Sequence, residues 1–304
     1  MKANIHHETN DCLAINENII AKSKETMQLT WDDFRNALTQ EQFIYNDTES
    51  ALKTTFLKQF DDWFHNIGKQ EMTFSLYDVF KNMMAGRGTI IMPDEPAETP
   101  KYNRFLPIAE HIKSDNRFSP AGVEWLYLAV GETETQIKQC AEKECRVKSG
   151  QRFGFCNFEL ENDYADLKVV DLTIAENMSY DNINDRLRIV YQKEFDRAMK
   201  YAQKRGSFLY KHCYRHDDVK QDIAKWMLLM YAKMMSENLF VPIEGKDKKK
   251  EYAPFHTLAM YFMKEGFDGI IYSSTVYPKA KNIVLFNKKY ANPVGNVLDY
   301  IYRP

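Results

Sequence analysis

The chain lacks any apolar run long enough to cross a bilayer, which excludes a helical membrane span. It also lacks an excess of either charge. Its 304 residues carry a formal net charge of −2, so no basic field is expected to hold nucleic acid or an anionic membrane. The five cysteines (Cys12, Cys140, Cys145, Cys156, Cys213) form an odd count with no CxxC spacing. That pattern excludes a disulfide framework and a zinc site, and fits reduced thiols in a cytoplasmic protein without a metal. Met1 to His7 lead into polar sequence with no apolar signal core, which again points to the cytoplasm. Glycine and proline are scarce before residue 90, and no repeat or low-complexity tract is present.

What is there is a globular composition, 44% hydrophobic and 28% charged, in a chain long enough for one large domain or two ordinary ones. Trp31, Phe34 and Leu38, and then Leu52, Phe56, Phe60 and Phe64, recur at three- and four-residue steps, which predicts helix up to about residue 90. Thr30 is placed to cap one such helix, with Asp32 and Asp33 in its first turn. Prolines 93, 96 and 100 forbid helix and mark the domain boundary. Beyond them, strands are expected over 125–130, 153–160 and 167–172, and helices over 133–148, 183–204, 217–237 and 254–265. Lys246 to Lys250 reads as a charged surface loop. The fold class is α+β, with a helical N-terminal extension over residues 1–95 and a second domain over 101–304.

The most informative local pattern is Gly266-Phe267-Asp268-Gly269-Ile270-Ile271-Tyr272-Ser273-Ser274, followed by Asn282-Ile283-Val284-Leu285-Phe286. Two β-type runs flank a polar loop, and groups at strand ends are where binding chemistry gathers. Taken alone, the block also fits an edge hairpin with a solvated turn. Far upstream, Asn116-Arg117-Phe118-Ser119-Pro120-Ala121-Gly122 leads into the strand Trp125-Leu126-Tyr127-Leu128-Ala129. Between the two blocks stand Asp166 to Leu172 and Glu251 to Ala259.

Taken in this order, the segments resemble the motifs of the RES domain family over roughly residues 101 to 290. The resemblance implies an ADP-ribosyltransferase-like fold, with small mixed or antiparallel sheets and helices around an NAD cleft. Known members are toxins of toxin–antitoxin pairs that destroy NAD and are silenced by a DNA-binding antitoxin of the Xre type. They are often dimeric. NAD would be the substrate, with no cofactor besides.

The resemblance also implies roles for named residues. Arg117 would bind phosphate, joined by Arg104 from Tyr102-Asn103-Arg104-Phe105. Tyr127 would stack on a flat heterocycle, although its strand position equally suits a core tyrosine. Ser274 would orient the substrate, with Tyr272, Ser273 and His256 as further lining. The family's glutamate position falls here on Lys138 or Gln139, leaving Glu134, Glu142 and Glu144 as candidate carboxylates. Ile137, Cys140 and Ala141 define an inward helical face. Glu144, seven residues after Ile137, lies close to that face, whereas Glu142 points about 140° away from it. Glu144 is therefore the preferred catalytic carboxylate.

The activity expected is cleavage of the nicotinamide–ribose bond of NAD, by water or by phosphate. Two alternatives are an ADP-ribosyltransferase acting on a macromolecule and a catalytically inactive NAD-binding module.

Overall fold

The computed structural model describes residues 22–205, 217–239 and 248–304. Met1 to His7, Cys12, Cys213, Lys246 and Asp247 lie outside the described residues. In chain order the main elements are α1 (residues 22–39), α2 (Thr55–Trp63), β1 (Thr73–Ser75), α3 (Leu76–Asn82), β2 (Met84–Ile91), β3 (Leu126–Gly131), α4 (Glu134–Glu144), β4 (Arg152–Leu160), β5 (Lys168–Asp171), α5 (Tyr180–Arg205), α6 (Asp217–Leu239), α7 (Lys248–Lys264), β6 (Gly269–Ser273), β7 (Lys281–Leu285) and β8 (Ala291–Ile301). No described helix is long and apolar enough to cross a membrane.

The chain divides into two compact units, one spanning residues 1–36, 52–71 and 174–235, and the other 37–51, 72–173 and 236–304. The first is helical and is built on the aromatic periodicity of the N-terminal sequence. Trp31, Phe34, Phe56, Phe60 and Phe64 are all buried. Phe56 meets Trp31 edge-on with ring centroids 5.0 Å apart and tilts against Phe34 at 5.2 Å. Trp226 donates its indole N–H to Asn184 Oδ1 at 3.1 Å, satisfying two buried polar groups. Thr30 is not a cap. It lies inside α1, where its hydroxyl donates back to the Met27 carbonyl at 2.8 Å, and Thr54 is the capping threonine of α2.

The second unit is organised on an eight-stranded sheet in the order β1-β5-β6-β7-β3-β2-β4-β8. All neighbours are antiparallel except β5 and β6. A parallel pair needs a long crossover, which the chain between Asp171 and Gly269 supplies. Residues 73–75 and 84–91 are strands within this sheet, where apolar periodicity predicted helix. The β-branched run Thr89-Ile90-Ile91, preceded by two glycines, outweighs the weak helical signal there.

Helix α4 opens on a capping box, Gln136 N–H to Thr133 Oγ1 and Thr133 N–H to Gln136 Oε1. It stops at Glu144, short of the expected Lys148, because Arg146 adopts a left-handed backbone with φ of 51°. Its buried face, Ile137, Cys140 and Ala141, packs with Phe153 and Phe155 on one side of the sheet. A second cluster, including Leu126, Leu128, Val130, Ile271, Ile283 and Leu285, forms the larger core. Lys248 to Lys250 form the first turn of α7 instead of a loop, and Pro254 is accommodated inside that helix.

Gly269 begins β6 between β5 and β7, pairing with Val169 and Leu285. A Cβ there would stand 2.5 Å from the Val284 carbonyl oxygen, which is backbone and cannot swing aside. Gly269→Ala is expected to destabilise the fold by about 1–3 kcal/mol. The urea-unfolding midpoint measures this, and an unchanged midpoint would refute it.

Candidate functional site

Strands β2 and β3 pair only from Met84↔Gly131 to Gly86↔Ala129. Beyond that point β2 continues along β4 to Ile91, whereas β3 continues along β7 to Leu126. The two strands part, and a cavity of about 560 Å³ is lined by Gly86, Arg87 and Gly88 from one lip and Tyr127, Leu128 and Ala129 from the other. Arg117, Glu144, Cys145, Tyr272 and Asn282 also line it. This volume falls within the ordinary range of small-molecule sites.

Arg87 owes its place to the glycines on either side. A Cβ on Gly86 would lie 2.4 Å from Phe155 Cζ, and one on Gly88 would lie 2.2 Å from Phe153 Cζ. The β4 aromatics thus occupy the space that side chains at 86 and 88 would need. Strand alternation sends Arg87 to the other face. Its Nη1 is buried without a hydrogen-bond partner among the described residues. Burial lowers its pKa from the ordinary guanidinium value, partly offset by Cys145 and Tyr127. A buried cation held this way is prepared for an anion.

Arg117 also lines the cavity. It donates from Nη1 to the Leu239 carbonyl, and its guanidinium carbon lies 5.6 Å from the Phe255 ring centroid. The Tyr127 hydroxyl is anchored to the same loop, 2.9 Å from Ser119 Oγ and accepting from the Phe118 N–H at 3.3 Å. Tyr272 is buried edge-on against Phe118, with centroids 4.9 Å apart. Burial raises both phenol pKa values, and the Glu144 charge adds to the rise at Tyr272, so both rings stay neutral.

Glu144 ends α4, and its Oε1 accepts from Ser274 Oγ at 2.8 Å and from Asn282 Nδ2 at 2.6 Å. Ser274 in turn accepts from the Val276 and Tyr277 backbone N–H groups, at 3.3 and 3.0 Å. It holds the carboxylate from behind and is not itself part of the lining. The other two candidate acids face elsewhere. Glu142 is buried and accepts from the Tyr300 hydroxyl, and Glu134 accepts from Asn157 at 3.4 Å.

Three further expected residues are not brought to the cavity wall. Arg104 forms a two-pronged pair with Glu95, at 2.9 and 3.0 Å, and donates to the Ile90 carbonyl. Ser273 ends β6 with its hydroxyl buried and, among the described residues, unpartnered. His256 is buried, stacks edge-on against Tyr45 and contacts the Asn116 carbonyl through Nε2 at 2.9 Å. Burial lowers its pKa, so at neutral pH the ring is an uncharged donor supporting the cavity loop.

Arg87 and Asn282 are two of the cavity residues to which neither spacing nor resemblance assigned a role. An arginine between two glycines was a legible sign, but it lay in a stretch read as helix. The cavity thiol of Cys145 donates to the Gly88 carbonyl at 3.4 Å, and burial pushes its pKa up to about 11, too high for a reactive thiolate near neutrality.

In chemical terms, the cavity joins two guanidinium groups, a hydrogen-bonded carboxylate and two neutral aromatic rings. That set suits an anionic ligand bearing a sugar and a flat ring. No family model and no curated protein matches the chain. Among solved structures it is similar to a chain of the M. tuberculosis MbcT–MbcA toxin–antitoxin complex, with 10% identity over 80% of this chain and 90% of that one, and a TM-score of 0.35. A likeness that weak carries no weight for function.

Two consequences are measurable. Arg87→Met removes a buried, incompletely partnered cation, so the unliganded variant is expected to be about 1 kcal/mol more stable than the wild type. A lower melting temperature would contradict this. The Arg104 guanidinium holds the Glu95 carboxyl down to about 2, from an ordinary 4.5. A depressed folded-state pKa stabilises above the unfolded value and ceases to do so as pH falls through the folded one. The stability gap between wild type and Arg104→Ala should therefore be full above pH 5 and close between about pH 4.5 and 2. A gap independent of pH would show that the pair does not operate this way.

Proposed function

We propose that the cavity binds NAD and breaks the bond between nicotinamide and its ribose. One observation carries the reading: the Glu144 carboxylate, held on Oε1 by Ser274 and Asn282, shares a single cavity with Arg87 and Arg117. The arginines would neutralise the pyrophosphate, and Tyr127 or Tyr272 would pack against a heterocycle.

In the reaction, the bond from ribose C1′ to the nicotinamide nitrogen breaks. Its electron pair stays on that nitrogen, which becomes neutral. Positive charge then spreads over C1′ and the ring oxygen, and a nearby carboxylate lowers the energy of that state. Water adds to C1′ and loses a proton, giving ADP-ribose. Inorganic phosphate in its place would give the phosphorylated product. NAD is a substrate here, and no cofactor takes part. An enzyme of this kind would drain a cell of NAD, which makes a separate antitoxin protein a fitting partner. The Xre type of antitoxin comes with the RES resemblance.

Incubating the purified protein with NAD and quantifying nicotinamide by chromatography tests the reading. The wild type should release nicotinamide, and Glu144→Gln should do so at least about a hundredfold more slowly. Equal rates would remove Glu144 from the chemistry. Label from NAD carried onto a macromolecule would replace hydrolysis with ADP-ribosyl transfer. Binding without release would leave only an NAD-binding module.

A further inference from the structure

The carboxylate that carries this reading is held by a residue with no obvious chemistry of its own. Asn282 lies on β7, paired to Ala129 of β3 on one side and Tyr272 of β6 on the other. Its backbone is thus fixed from both flanks, and its side chain is buried, with 5% of its surface exposed. A carboxylate can only accept, so the amide must turn Nδ2 towards Glu144, at 2.6 Å. That leaves Oδ1 facing Cys140, whose S–H donates to it at 3.6 Å. Burial pushes the Cys140 thiol up to about 12, so it keeps its proton and remains a donor at neutral pH.

Both side chains that hold Glu144 contact the same oxygen, Oε1. Oε2 has no hydrogen bond among the described residues. A glutamate at a helix end has several free torsions, and ordering it inside a cavity costs entropy unless something holds it. We propose that Asn282, with Cys140 behind it, is a positioning residue that locks Oε1 of Glu144 and so presents Oε2 to the substrate. The chain Cys140–Asn282–Glu144 ties α4 to the middle of the sheet. Ser274 reaches the same oxygen from the loop after β6.

The inference rests on the NAD-cleaving reading, and its test separates the two. In nicotinamide-release kinetics, Asn282→Ala is expected to lower kcat by about a hundredfold, through a displaced reacting group, with KM for NAD changed less than about threefold. Cys140→Ala should lower kcat several-fold. Cys140→Ser, which keeps a donor at that position, should restore it. A loss confined to KM, or equal rates in the serine and alanine variants at 140, would overturn the proposal. If Asn282→Ala does not fold, as judged by its melting curve, the Cys140 pair decides the matter. If the wild type releases no nicotinamide, the NAD reading fails, and the crystal structure of Asn282→Ala becomes the test of positioning. A Glu144 carboxylate turned away from Ser274 would support the proposal, and one still seated on it would sink it.

Discussion

The short ladder from Met84↔Gly131 to Gly86↔Ala129 joins β2 to β3 and then ends, and the candidate site depends on where it ends. On one side, β2 remains committed to β4 and β8. On the other, β3 remains committed to β7, β6, β5 and β1. Backbone groups on the parting lips lose their sheet partners and must be satisfied in other ways. The Gly88 carbonyl finds the Cys145 thiol, and the freed space becomes the cavity. A longer ladder would have closed the sheet and left no room for a ligand.

Electrostatics inside that opening explains why the chain tolerates an unfavourable arrangement. Arg87 is buried with Nη1 unpartnered among the described residues, a state that costs free energy until an anion arrives. Arg117, also on the cavity wall, is steadied by the Leu239 carbonyl and the Phe255 ring. Arg104, by contrast, is neutralised by Glu95 and serves the connection after β2. Three arginines thus meet three different surroundings: Arg87 is buried, Arg104 faces a carboxylate, and Arg117 rests on a carbonyl and a ring.

Part of this was legible in the residues themselves. The aromatic periodicity of Phe56, Phe60 and Phe64 describes a helical core, and the apolar alternation around Tyr127 and Tyr272 describes strands. Spacing along α4 places Glu144 near the face of Ile137 and Cys140, because helical geometry is local and regular. The helical reading holds over Leu76–Asn82 but failed at residues 73–75 and 84–91, because a three-residue edge strand and a glycine-punctuated strand have too little period for pattern alone to detect. The same weakness hid Arg87.

The amino-acid sequence by itself determined the periodicities, the mixed α+β class and the order in which the motif segments occur. Only tertiary structure decided which side chains share a cavity. Asn282 reaches Glu144 across 138 positions of chain, and Arg87 faces Tyr127 only because two strands separate after three pairs. Such contacts arise from strand register and from the volume of Phe153 and Phe155 against two glycines. These are properties of packing between distant segments, and no local pattern encodes them.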